Sequence, residues 1–361
     1  MHPQRSTPLL RKFLLALASA GLTLALAEGV AWLVLAGLGP EHAPLHLHWD
    51  EHQTTLRAQS LRDELYRPDP ACFFRLKPDL DLSYTASGMI FDVRTNSLGL
   101  RGEELQDPRP VGGVRILCVG DSCTFGTGVG QHDTYPAVLE TNLRRELSNQ
   151  GVEILNAGVP GYTSYQCLRY LESEGFDLAP DVIVFCTNFN EASPATAGPK
   201  RPMAHDQVLT DRQYGAQLRP ASRLALLRLA RRWSGGAGRS PRPAGGGRRT
   251  RRVPLNDHRE HLLRFLQACR ERDILAVLVV WPLRAQAGSR QDYPDDRLRA
   301  VRPYQRTMVE VAREQGALLV DLRPVAQGQP QWFVDQVHMG PEGYAEVADA
   351  VARALGERLA R

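Results

Sequence analysis

From Val114 to the C-terminus the chain alternates short β-branched, apolar runs with longer segments of helical period, and this alternation restricts it to one broad architecture. Buried strands joined by amphipathic helices close most readily as a parallel sheet with helices on both faces, since each crossover helix must bury one side against the sheet. Strands are expected near 114–119 (Val-Arg-Ile-Leu-Cys-Val), 152–156, 181–187, 274–281 and 317–321. Helices are expected near 133–149, 163–175, 256–272, 296–315 and 341–358, with Gly151 and Gly316 as stops. The fold class is therefore α/β, a three-layer αβα sandwich around a central parallel sheet. Its working crevice lies outside the carboxyl ends of the strands.

The N-terminus follows a different rule. Residues 13–38 are almost wholly apolar, and a helix of that length, at ~1.5 Å per residue, spans a hydrocarbon core of ~30 Å. This predicts one transmembrane helix. Arg5, Arg11 and Lys12 precede it, whereas Glu41, Asp50 and Glu51 follow it, so residues 1–12 are expected in the cytoplasm and the rest on the periplasmic or extracellular side. Ala25-Leu26-Ala27 also fits a signal-peptide cleavage site. Continuation of the apolar run through Val30-Ala31-Trp32-Leu33-Val34-Leu35 favours retention as an anchor. Glu28 is best placed near the outer interface, where its charge costs least.

Residues 39–110 break the alternation and read as a juxtamembrane lead-in packed on a domain at 111–361. Within the lead-in, Leu80 to Val93 can hold strands, and Thr95-Asn96-Ser97-Leu98-Gly99-Leu100-Arg101-Gly102 has turn composition. His46, His48, Asp50 and His52 are metal-binding residue types, but their setting reads as a solvated linker.

Charge is strongly local. The chain of 361 residues is 43% hydrophobic and 23% charged, with a net charge of +4. Twelve arginines and no acidic residue lie between Arg212 and Arg252, leaving 32 basic against 40 acidic residues elsewhere. A basic stretch confined to one segment argues against a nucleic-acid-binding face. The insertion 190–252 contains an amphipathic piece from Ser222 to Trp233 and then Gly-rich low-complexity sequence, which is expected to be disordered. Leaving the end of the third strand, it has three open readings: a lid, a contact with anionic lipid, or a solvated loop. Cys72, Cys118, Cys123, Cys167, Cys186 and Cys269 form no Cys-x-x-Cys pair; buried free thiols are expected, with no metal or cofactor.

Gly120-Asp121-Ser122-Cys123-Thr124-Phe125-Gly126-Thr127-Gly128-Val129 follows the first of the alternating strands, and Asp335-Gln336-Val337-His338 precedes the last helix. A serine hydroxyl needs an imidazole to take its proton, and the imidazole needs a third group to fix its tautomer. Asp335 and His338 have the spacing of side chains sharing one face of a helical turn, which would leave the other ring nitrogen for Ser122. Gly126-x-Gly128-x-Gly130 lacks the spacing of a dinucleotide fingerprint.

Four separated blocks then resemble the SGNH hydrolases of the GDSL esterase/lipase superfamily: Gly120-Asp121-Ser122; Asn156-Ala157-Gly158-Val159-Pro160-Gly161-Tyr162-Thr163-Ser164; Cys186-Thr187-Asn188-Phe189; and Asp335-x-x-His338 with Gly343. The resemblance covers residues 114 to 358, in family order, and implies the flavodoxin-like SGNH fold. It implies Ser122, His338 and Asp335 as catalytic residues, with an oxyanion hole from the backbone N–H groups of Ser122 and Gly161 and the side-chain amide of Asn188. Two departures stand out. Cys186 replaces the third-block glycine and Phe189 its aspartate, leaving Asn190 or Glu191 to supply the missing polar role. The expected activity is hydrolysis of carboxylic esters, including acetyl esters, of envelope carbohydrate or lipid. O-acetyl transfer by the same residues and a catalytically silent glycan- or partner-binding domain are the alternatives, and the sequence does not set the oligomeric state.

Overall fold

The computed structural model describes residues 8–37, 64–86, 89–109, 112–147, 151–193, 212, 251–288 and 295–359. Pro8–Gly37 forms one 30-residue helix, α1. Phe13, Leu17, Leu22, Leu26 and Leu33 are exposed on it. Counted over the described residues, no helix is long and apolar enough to cross a membrane; several α1 side chains fall outside that set. The histidine group at 46–52 and the Arg/Gly-rich stretch from Ser222 onward lie outside the described residues.

The lead-in is more regular than its sequence suggests. Tyr66–Asp69 (β1) pairs antiparallel with Phe73–Leu76 (β2), and Asp81–Ala86 (β3) with Met89–Arg94 (β4). The turn after β4 closes on Asn96, whose Oδ1 accepts the N–H groups of Leu98 and Leu100 at 3.1 and 2.9 Å. Gly99 has φ +79°, and a Cβ there would lie 2.7 Å from the Leu76 carbonyl oxygen, so glycine is required for the turn to sit against β2.

Five strands build the central sheet: Val114–Gly120 (β5), Val152–Gly158 (β6), Val182–Cys186 (β7), Leu275–Val280 (β8) and Leu318–Asp321 (β9). All pair in parallel, in the order β6-β5-β7-β8-β9. The helices are a single turn at Ser122–Phe125 (α2), then Tyr135–Glu146 (α3), Ser164–Ser173 (α4), Leu255–Arg270 (α5), Asp295–Gln315 (α6), a turn at Leu322–Val325 (α7) and Pro341–Leu359 (α8). Each strand and each long helix expected in this region is present. Gly316, with φ +63°, follows the end of α6.

Strand side chains alternate between the two faces. Ile116, Cys118, Val182, Val184, Val277 and Val279 join one core with Leu139 and Leu143 of α3 and Val347, Val351 and Leu355 of α8. On the other face, Phe185 stacks on Phe265 of α5 with ring centroids 4.5 Å apart. Full burial of each such side chain contributes about 1.5–3 kcal/mol, which explains why these strands read as continuous apolar runs. All six cysteines are buried as free thiols.

The strand order places β5 between β6 and β7, so the chain crosses to opposite sides of β5 and leaves a crevice at the carboxyl ends of these strands. Gly120 and Gly158 are register partners there. A Cβ on Gly158 would lie 2.1 Å from Phe125 N and 2.6 Å from Thr124 C, both backbone atoms of α2. Gly158→Ala is therefore expected to destabilise the fold by about 1–3 kcal/mol, read as a lowered urea midpoint with an unchanged m-value.

Candidate active site

Each motif sits where a strand ends. Asp121 caps α2, its Oδ1 accepting Cys123 N–H at 2.9 Å, which places Ser122 as the first helical residue beyond β5. Gly120 must be small here too, since a Cβ would approach Thr124 Oγ1 to 2.1 Å and the Cys186 carbonyl oxygen to 2.6 Å. The loop after β6 carries Gly161 with φ +85°.

Asp335 and His338 do not share a helical turn. They lie in a tight loop closed by a Phe333–Met339 bridge and by Val334 N–H donating to the His338 carbonyl at 2.9 Å. Asp335 Oδ1 accepts the N–H groups of both Val337 and His338, at 2.9 and 2.8 Å. That local turn brings the two side chains together. The loop is tied to the sheet by Trp281, whose indole N–H donates to the Val337 carbonyl at 2.8 Å.

The result is a continuous polar line. His338 Nδ1 lies 2.6 Å from Asp335 Oδ2, and His338 Nε2 lies 2.7 Å from Ser122 Oγ. A carboxylate only accepts, so Nδ1 carries the ring proton and Nε2 is left to accept from the serine hydroxyl. Burial raises the Asp335 pKa, but the hydrogen bond and charge of His338, with the N–H groups of Val337 and His338, outweigh it and hold the carboxyl below its ordinary range. Such an arrangement can move a proton from a hydroxyl to an imidazole.

Asn188 is more constrained than its motif implied. Its Oδ1 accepts Trp281 N–H at 2.9 Å while its Nδ2 donates to the Trp281 carbonyl at 3.3 Å. This reciprocal pair fixes the amide plane at the end of β7 and engages one of its two N–H donors. Neither Ser122 N–H nor Gly161 N–H meets an acceptor among the described residues. Phe189, in place of the family's aspartate, lies under the Arg297 guanidinium at 4.5 Å. Its two neighbours, Asn190 and Glu191, make polar contacts in the site. Asn190 Nδ2 bridges Asp121 Oδ2 at 3.2 Å and the Tyr162 carbonyl at 3.0 Å, and Glu191 Oε1 accepts Ser164 N–H at 2.7 Å.

Several supporting groups had no sequence signal. Arg252 returns from the insertion and donates to the Gly161 carbonyl and to Gln166 Oε1, both at 2.8 Å; in the sequence it is one arginine among twelve. His258 and His261 of α5 each place Nδ1 3.1 Å from Ser164 Oγ. Among the described residues no group of three or more His, Cys, Asp or Glu side chains is arranged to hold a metal ion.

Burial dominates the titration of that cluster. It lowers His258 to about 3 and His261 to about 4, and raises Glu191 to about 7. The folded state therefore keeps a proton on Glu191 that the unfolded chain releases near 4.5. The group's contribution to stability is full below that value and is lost as pH rises to about 7. Glu191→Gln is expected to remove this component, so that wild type loses urea midpoint relative to the variant across that window.

A family model described as GDSL-like lipase/acylhydrolase matches residues 118–346. No curated protein matches the sequence. Among solved structures, an alpha/beta hydrolase from the metagenome of Lake Arreo is 16% identical, with 68% of this chain and 96% of that one covered and a TM-score of 0.45. The lipase/acylhydrolase of Enterococcus faecalis is 17% identical, covering 68% and 96% with a TM-score of 0.44. A variant of an acetyl xylan esterase from Geobacillus stearothermophilus is 17% identical, covering 68% and 95% with a TM-score of 0.45.

Proposed function

The chain belongs to the GDSL-like lipase/acylhydrolase family and is a carboxylic ester hydrolase, and from that premise we propose that Ser122, His338 and Asp335 are its catalytic residues. The observation that carries this is the line from Ser122 Oγ through His338 to Asp335, with contacts of 2.7 and 2.6 Å. Ser122 attacks the ester carbonyl while His338 Nε2 takes its proton. Asp335 stabilises the resulting imidazolium, which returns a proton to the leaving alcohol. Water then attacks the acyl-serine, with His338 again the base. The Ser122 and Gly161 N–H groups and the second N–H of Asn188 receive the oxyanion.

The substrate side of the proposal comes from the N-terminus. The apolar run at residues 13–38, with basic residues before it and acidic ones after, supports a membrane tether with the catalytic domain outside the cytoplasm. Esters of envelope carbohydrate or lipid, acetyl esters included, would be within reach of such an enzyme.

Ser122→Ala and His338→Ala are each expected to lower kcat/KM for an aryl acetate by roughly 10⁴-fold or more, and Asp335→Asn by about 10⁴-fold. Fluorophosphonate labelling with peptide mapping should place the adduct on Ser122 of wild type and find none in the first two variants. Failure of folded wild type to label would replace this reading with a silent binding domain. Product analysis with an added sugar acceptor separates the two reactions: free carboxylate marks hydrolysis, and acylated acceptor marks transfer. Recovery of the full chain in the membrane fraction after a high-salt wash is the outcome expected of the tether.

A further inference from the structure

Arg101 belongs to the lead-in, outside the four motif blocks, yet its guanidinium is buried against the turn that bears Ser122. All five of its N–H donors meet oxygen. Nη1 donates to the carbonyls of Phe125 and Gly126 at 2.7 and 2.8 Å, and Nη2 to those of Asp92 and Val129 at 2.7 and 2.9 Å. Nε donates to Gln131 Oε1 at 3.2 Å, and the guanidinium lies 4.6 Å over the Phe125 ring. The residue is 3% exposed. Burial lowers its pKa to about 10, which leaves it charged at neutral pH.

The placement of the two Nη1 bonds distinguishes Arg101 from an ordinary packing residue. The peptide unit whose oxygen is Phe125 O also contains Gly126 N–H, and the unit whose oxygen is Gly126 O contains Thr127 N–H. Both of those N–H groups donate to the Ser122 carbonyl at 3.0 Å. Each Nη1 hydrogen therefore acts through one peptide unit on the backbone of Ser122, and hydrogen bonds in series polarise one another. Gly126 leaves room for this, since a Cβ there would lie 3.0 Å from Arg101 Nη1. Arg101 is itself held in place. Its own N–H donates to the Asn156 carbonyl at 3.0 Å, fastening the lead-in turn to the end of β6.

Resting on the assignment of Ser122 as nucleophile, we propose that Arg101 is a positioning residue for the hydrolytic reaction, which makes the lead-in part of the active-site scaffold. A lysine keeps the charge but cannot fill five directed bonds from one planar group. A serine displaced from in-line attack loses rate with little change in substrate affinity, and a shift of about 1 Å can cost ~10²-fold.

The test uses the full-length protein with wild type, Arg101→Lys, Gln131→Met and Ser122→Ala, each checked for folding by circular dichroism and thermal melting. The expected result for Arg101→Lys is a kcat per titrated site lower by ~10²-fold, KM within about twofold, and a parallel slowing of fluorophosphonate labelling. Gln131→Met removes the Nε acceptor together with two exposed 3.3 Å bonds to the Arg94 backbone, and is expected to lower kcat by a few-fold without loss of folding. A lowered melting temperature with unchanged kcat per titrated site in Arg101→Lys would overturn the proposal and leave a purely structural role. If Arg101→Lys does not fold, Gln131→Met decides, and unaltered kcat and labelling rate there would overturn the proposal. A folded wild type that labels no better than Ser122→Ala removes the nucleophile assignment itself, and the Arg101 inference falls with it.

Discussion

Gly120 and Gly158 are register partners at the carboxyl ends of β5 and β6, and the turn bearing Ser122 passes over them at a distance that excludes a methyl group. The rest of the site depends on this close passage. It lets a helix begin directly at a strand end, so that the hydroxyl of Ser122 stands over the sheet rather than beside it. The strand order supplies the space above, since β5 is flanked by strands reached in opposite directions. His338 arrives from more than two hundred residues away and meets Ser122 where the loop after α7 is fastened beside the sheet by Trp281 on the Val337 carbonyl and by Arg284 N–H on the Gln336 carbonyl.

Around this turn lie several buried polar side chains, many of them paired with backbone. Asn188 locks β7 to the residue after β8, Asn190 joins the Ser122 turn to the Gly161 loop, and Arg252 holds the Gly161 carbonyl. Burying such groups is costly without partners. With them, each bond converts loop backbone into fixed geometry, which an active site built on strand ends otherwise lacks. Two contributors come from outside the four motif blocks: Arg101 from the lead-in and Arg252 from the end of the insertion.

Much of this was legible in the chain. The five parallel strands and the long helices around them follow from alternation of apolar runs and helical periods, because burial on both faces leaves a one-dimensional signature. The four motif blocks identified Ser122, Gly161, Asn188 and the Asp335–His338 pair by residue type. The lead-in was less legible, since short antiparallel hairpins such as β1 and β2 bury too few residues to set up a clear period. The expectation of a helical turn between Asp335 and His338 failed for a local reason: Asp335 Oδ1 takes two consecutive backbone N–H groups and so favours a tight turn over a helix.

Sequence by itself determined the α/β class, the strand positions, the family and the residue types proposed for acyl chemistry, since each depends on local pattern or on residue identity. Only the tertiary structure decided that Asn188 is pinned by Trp281, that Asn190 reaches the Tyr162 carbonyl and Glu191 the Ser164 N–H, and that Arg101 and Arg252 reach backbone carbonyls of the site. Those bonds join side chains to main-chain atoms 24 to 93 positions away. A carbonyl carries no residue type, so its partner is set by where the folded chain brings it and by nothing written at its own position.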